Sequence, residues 1–209
     1  MRPFKEMEGS CIDIKKFILC LSIIGSLIII LFQFFHWKAV DILTVFFIPF
    51  VWLFVYGFFL VGLVLSIIVA FKSKYWKPIF INLITIIILV TVPFNRLVLE
   101  MDFKRNQSAR VEIIEKIEKE ELKPNVPYNA SLIMLPDEYN HLSKGGGEIV
   151  VEKQDEDYAV LFFTFRGVLD SFSGFAYSPN GQKPGVNSFN GDFKEIIQID
   201  KNWHMVTSY

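Results

Sequence analysis

The sequence predicts a membrane protein in two parts: three transmembrane helices, then a small α+β extracytoplasmic domain with one amphipathic helix on an antiparallel sheet of about five strands. Three observations predict it. Apolar residues make up 52% of the 209, with 22 of them Phe, and they crowd into long runs in the first half of the chain. In the second half the hydrophobic period becomes that of a helix and then that of strands. Charge divides at the same place: residues 1–101 carry nine basic and five acidic side chains, net +4, and residues 102–209 carry 12 and 17, net −5.

A bilayer core takes about 20 apolar residues as a helix. The run "FILCLSIIGSLIIILFQFF" supports a first span over residues 17–36, Val45–Phe71 supports a second over 43–71, and Ile79–Phe94 supports a third over 78–99. Pro78 suits a first helical turn, while Pro49 and Pro93 fall near span ends, where a missing donor costs least. The first run exceeds a signal-peptide core of about 7 to 15 residues and lacks a small-x-small cleavage site, so it reads as a retained span. The resulting division is a tail (1–16), a transmembrane region (17–99) and a domain (100–209).

The positive-inside rule orients it. Arg2, Lys5, Lys15 and Lys16 in the tail and Lys72, Lys74 and Lys77 in the second loop share a side, against Lys38 alone in the first connector. The tail is therefore expected in the cytoplasm and the domain outside the plasma membrane, with Trp37, Tyr75 and Trp76 at interfaces. No Asp, Glu, Lys, Arg or His lies within residues 17–35, 45–71 or 79–94, which argues against a pump or a self-sufficient ion transporter. Asn82, Thr85 and Thr91 offer interhelical hydrogen bonds, Ser22 and Ser26 form a small-xxx-small pair, and Gly57 and Gly62 permit close approach. A compact anchor follows, with a homo-oligomer through the helices as the alternative.

In the domain, "SARVEIIEKIEKEEL" (108–122) predicts a helix capped by Ser108, with Val111, Ile114 and Ile117 on its apolar stripe and Glu112 four residues from Lys116. Pro124 and Pro127 end it. A short strand, a turn begun by Pro136–Asp137 and a glycine loop come next. An antiparallel meander then runs through Glu148–Lys153, Tyr158–Arg166, Phe172–Ser178, Phe193–Asp200 and Trp203–Tyr209. In the last of these Trp203, Met205 and Thr207 face one way and His204 the other.

Chemistry is sparse. Lys144-Gly-Gly-Gly has the wrong order for a phosphate loop, and Asp155, Glu156 and Asp157 lack EF-hand spacing. His141 and His204, without cysteines in the domain, fall short of a zinc set, and no nucleophile elbow exists. A net-acidic domain without a dense basic patch excludes nucleic acid as a partner. No cofactor and no enzyme activity are expected. Arg166 ends the most apolar strand and needs a carboxylate or carbonyl; Asp170 is close in sequence, and the pair would pin the turn. The sharper expectation is a partner-binding surface formed by Arg166, Asp170 and Tyr177, with Arg166 reading an anionic group.

No motif is specific enough to assign a family, and the plan is that of a small bacterial membrane protein. The leading expectation is a non-enzymatic multi-pass protein in the lipid bilayer whose outer domain binds a protein, peptide or envelope partner. An immunity-type protector against a toxin is one version of it. The alternatives are an accessory subunit of a transporter or sensor complex, and an enzyme whose site only the fold assembles.

Overall fold

The computed structural model describes the backbone of residues 3–154, 157–167 and 171–209, and the side chains of all of these except 3–12, 41, 44, 45 and 154. The chain divides into two compact units, Met1–Val98 and Leu99–Tyr209.

In the first unit helical backbone runs unbroken over α1 (Pro3–Ser73). A straight helix would separate Ser22 from Ser66 by roughly 66 Å at 1.5 Å per residue. Their hydroxyl oxygens lie 2.9 Å apart, so α1 doubles back. Gln33 meets Tyr56 and His36 meets Trp52 in the same register, which centres the reversal between two arms, Asp13–Val40 and Phe46–Ser73. Each arm has 28 residues and is long and apolar enough to cross a bilayer. The expected connector at "HWKAVD" is thus helical, and Pro49, expected near a span end, lies inside α1 at the start of the second arm, where it withholds one backbone donor from the helix.

The third expected span, 78–99, is not one straight helix. α2 (Lys77–Thr91) stops at Val92, and α3 (Phe94–Glu118) leaves it at 60°. Pro93 has no N–H to continue the ladder and disfavours helical backbone at Val92, where φ −88° and ψ 118° are extended. Fifteen residues reach only about 22 Å, short of a bilayer core of about 30 Å. A third crossing therefore requires the bent pair to act as one.

The bundle is joined by polar contacts. Asn82, fully buried on α2, donates to Ser66 (2.9 Å) and Ser22 (3.3 Å), and Thr85 donates to Ser26 (2.8 Å). Two of the three side chains expected to bond between helices, Asn82 and Thr85, do so. Thr91 instead bonds Ile87 of its own helix. Gly62 approaches Leu21, whereas nothing lies near Gly57. Around this interior the lipid-length arms expose large apolar side chains, among them Phe46, Phe54 and Leu53.

The second unit is an α+β layer with six strands: β1 (Leu132–Met134), β2 (Glu148–Gln154), β3 (Asp157–Arg166), β4 (Phe172–Tyr177), β5 (Phe193–Asp200) and β6 (Trp203–Ser208). All pairings are antiparallel, in the order β1-β2-β3-β4-β6-β5. The expected meander is corrected at its end. Residues 178–192 are long enough to carry the chain past the β6 position, and β6, buried on both faces, takes the inner place. β5, with Lys194, Glu195 and Asp200 outward, is the charged edge that resists pairing with another chain. The other edge is closed within the chain: Asn125 bonds both the N–H and the C=O of Met134 through its side chain.

The helix on the sheet starts earlier than its sequence suggested. Ser108 lies inside α3 and caps nothing, and the helix ends at Glu118, where Glu120 (φ 58°) turns the chain and Leu122 N–H returns to Lys116 C=O. Val111 is exposed. Phe103, Ile113, Ile114 and Ile117 face the sheet and pack on Ile133, Ile149, Val160, Phe162, Phe175 and Trp203. The Glu112–Lys116 pair forms as expected, at 2.9 Å. The opposite sheet face carries Leu132, Val150, Leu161, Phe163, Ala176 and Val206, buried with Phe189 and Phe193. Here the 178–192 connection acts as a roof, and it shapes the site described next.

Candidate binding groove

Arg166 ends β3 on the roofed side of the sheet. Its guanidinium lies 4.7 Å above the centre of the Phe163 ring, and it pairs with the Glu148 carboxylate across the β2–β3 ladder. In the expected Arg166–Asp170 pair, Asp170 lies outside the described residues; among those described, Glu148 is the carboxylate found on Arg166. The arrangement is asymmetric: the Arg166 side chain is 37% exposed and Glu148 only 13%. The cationic end of the pair thus faces outward.

The glycine loop supports this geometry. Gly145, Gly146 and Gly147 all have positive φ, between 77° and 112°, a conformation L side chains rarely adopt. A Cβ at Gly145 would lie 2.6 Å from Cδ of Arg166, and one at Gly147 would overlap Asn140. The loop therefore seats the arginine stem. Ser143 locks it further, donating to Glu148 C=O and accepting from Phe163 N–H at 2.9 Å.

Around Arg166 lies a groove of about 490 Å³ lined by Leu132, Val150, Phe163, Phe172, Phe189, Asn129, Asn190, Gly167 and Ser171. Its floor is apolar and its rim polar, the usual composition of a binding cleft. Phe172 stands edge-on to Phe163 at 5.4 Å and to Phe193 at 5.7 Å, packing that fixes the wall. Arg166 is the one charged residue among the described lining residues. A larger concavity of about 580 Å³ at the end of α3 mixes Glu120 and Glu152 with Lys123 and Lys153. Its two acidic and two basic side chains balance, so it selects no ligand charge.

Phe189 and Asn190 reach the groove in left-handed conformation, φ 58° and 54°, which is unusual for a bulky residue. Two contacts hold Phe189 there. Its ring is buried among the roofed-face residues, and its N–H donates to Glu152 at 2.5 Å. Burial pushes the Glu152 carboxyl above its ordinary value of 4.5, and the Phe189 N–H partly offsets this. A carboxyl with a raised folded-state pKa favours the folded state in acid, so its contribution falls as pH rises from 4.5 through the folded value. Glu152→Gln, whose Oε1 still accepts from Phe189, is expected to raise the thermal midpoint at pH 7. That gain should vanish as pH approaches 4.5; a lower midpoint at pH 7 would mean the ionised carboxylate is needed.

No family model, curated protein or solved structure matches the chain. The groove is therefore read from its own chemistry.

Tyr177 does not join Arg166. In the β3–β4 register Arg166 opposes Phe172, while Tyr177 opposes Val160 at the far end, and its ring packs on Trp203 on the α3 side of the sheet. The residues that do accompany Arg166, namely Phe163, Phe172, Phe189 and Glu148, were not singled out by sequence. The available signal was Phe189 itself, an isolated large apolar residue in the polar stretch "PNGQKPGVNSFNG". Such a residue needs a buried seat. His141 is exposed on the turn Asp137–Leu142, and His204 is buried on β6, where burial and, secondarily, Lys183 hold its pKa down. Among the described residues no group of three or more His, Cys, Asp or Glu is placed to hold a metal ion.

Proposed function

We propose that the chain is a multi-pass membrane protein whose second unit, outside the cytoplasm, binds a protein or peptide without catalysing a reaction on it. The observation that carries this reading is the groove in which Arg166 lies over Phe163, cationic end outward, between an apolar floor and a neutral polar rim. Membrane insertion is supported by the two 28-residue apolar arms and their exposed Phe and Leu side chains, since hydrocarbon is the solvent such a surface fits. The outward orientation rests on the lysine and arginine asymmetry of the loops.

A photo-cross-linking side chain at Asn190, on the groove rim, tests the binding reading in intact host cells. A discrete adduct is expected there and none from the same group at the exposed Lys119; adducts of equal yield at both positions defeat it. Orientation is tested separately with Cys11 and Cys20 replaced and single cysteines at Ser73 or the exposed Asn187. An impermeant maleimide should label position 187 in whole cells and position 73 only after lysis. The reverse pattern inverts the topology.

A further inference from the structure

We infer that the groove accepts the free carboxyl terminus of a peptide whose last residue is large and apolar. The inference rests on the binding reading above and specifies its ligand. Three features select this chemistry. Arg166 is the one charged residue among the described lining residues; Glu148 already pairs with it but is the less exposed partner, so what the pair presents to the groove is the guanidinium, and the complementary group is an anion that shares it with Glu148. The cation lies 4.7 Å from the centre of an aromatic ring, a separation spanned within a single residue. In an extended chain neighbouring side chains point to opposite faces, so an internal acidic residue and its adjacent apolar residue would not meet both groups. A C-terminal residue carries its carboxylate and its side chain on the same Cα, and so presents both together. A guanidinium is also the group best matched to a carboxylate, through paired N–H donors.

The fit places the terminal carboxylate on Arg166 and the terminal side chain against Phe163, Phe172 and Phe189. Asn129 and Asn190 at the rim offer amide groups to the peptide backbone. Glu148 acts as a positioning residue: it orients the guanidinium from beneath while competing with the ligand for its charge.

The test uses the full chain in detergent micelles and two pools of hexapeptides, each ending in Phe or Leu with the preceding positions randomised. One pool ends in a free acid and the other in an amide. The acid pool is expected to bind about tenfold or more tightly than the amide, the loss typical of removing a charge-assisted pair. Arg166→Gln should erase that difference. Glu148→Gln still accepts from the guanidinium but removes the competing charge, so it should tighten acid peptides severalfold and leave amides unchanged. Equal binding of acid and amide to the unaltered chain overturns the carboxylate inference while leaving a peptide-binding groove in place. Binding of neither pool, or binding that neither substitution alters, overturns the groove reading itself.

Discussion

Replacing Arg110 with Ala is expected to destabilise the second unit by about 3–5 kcal/mol, the range for breaking a buried charged pair and emptying a core site. Arg110 is 1% exposed on the sheet-facing side of α3. Its guanidinium lies 4.7 Å from the Phe175 ring centre and 5.9 Å from that of Phe162, bonds the Leu142 carbonyl, and meets Asp102 at 2.6 Å. Burial pulls its pKa down and Asp102 counteracts this; the guanidinium stays charged, so its partners are what offset the cost of burying it. Truncation removes the cation between the two rings and leaves the Leu142 carbonyl short of a donor. Asp102 stays partly hydrated, so its share of the penalty is screened. Arg110→Met retains most of the volume and should cost roughly half as much. Denaturant unfolding followed by fluorescence of Trp203, which packs on Phe103 and Phe162, reports both. A loss below about 1 kcal/mol for the Ala variant would mean the residue is not holding helix to sheet.

Arg110 also shows where sequence reading reached its limit. A helical period places Ile114 and Ile117 on one stripe, and both are buried. The same period gives no reason to bury a charged residue, because the compensation comes from Phe162, Phe175 and the Leu142 carbonyl, which are remote in sequence. Val111 was expected in the core for its apolarity and lies outside for the same reason: the stripe rotates to admit Arg110. Strands were legible because alternation is a local signal, and the six-strand unit differs from expectation chiefly in the β4-β6-β5 order. That order depends on which strand tolerates solvent on an edge. The candidate site divides similarly. Arg166 was identifiable as a charge ending an apolar strand. Its ring neighbours were not, since Phe172 arrives through strand register and Phe189 through a left-handed turn.

The first unit gives the second large effect, and here an ordering of variants is informative. Ser66→Leu is expected to cost about 2–4 kcal/mol, through lost hydrogen bonds and overpacking of a closed interior. Asn82→Ala should cost about 1 kcal/mol, since interhelical hydrogen bonds in such bundles average about 0.6 kcal/mol each. The difference follows from geometry. Ser66 has no exposed surface and touches both Ser22 and Asn82 at 2.9 Å, so the isobutyl group of Leu, in place of a hydroxymethyl, has no space without parting α2 from the arms of α1. Asn82 loses two bonds on truncation, but its Oδ1 is buried without a hydrogen-bond partner, and deleting it relieves a desolvation penalty. Unfolding in mixed micelles measures both variants, and disulfide trapping between cysteines at positions 21 and 62 reports whether the arms still meet. Asn82→Ala costing as much as Ser66→Leu would show that the amide, and not close packing around the serines, holds the three helical segments together.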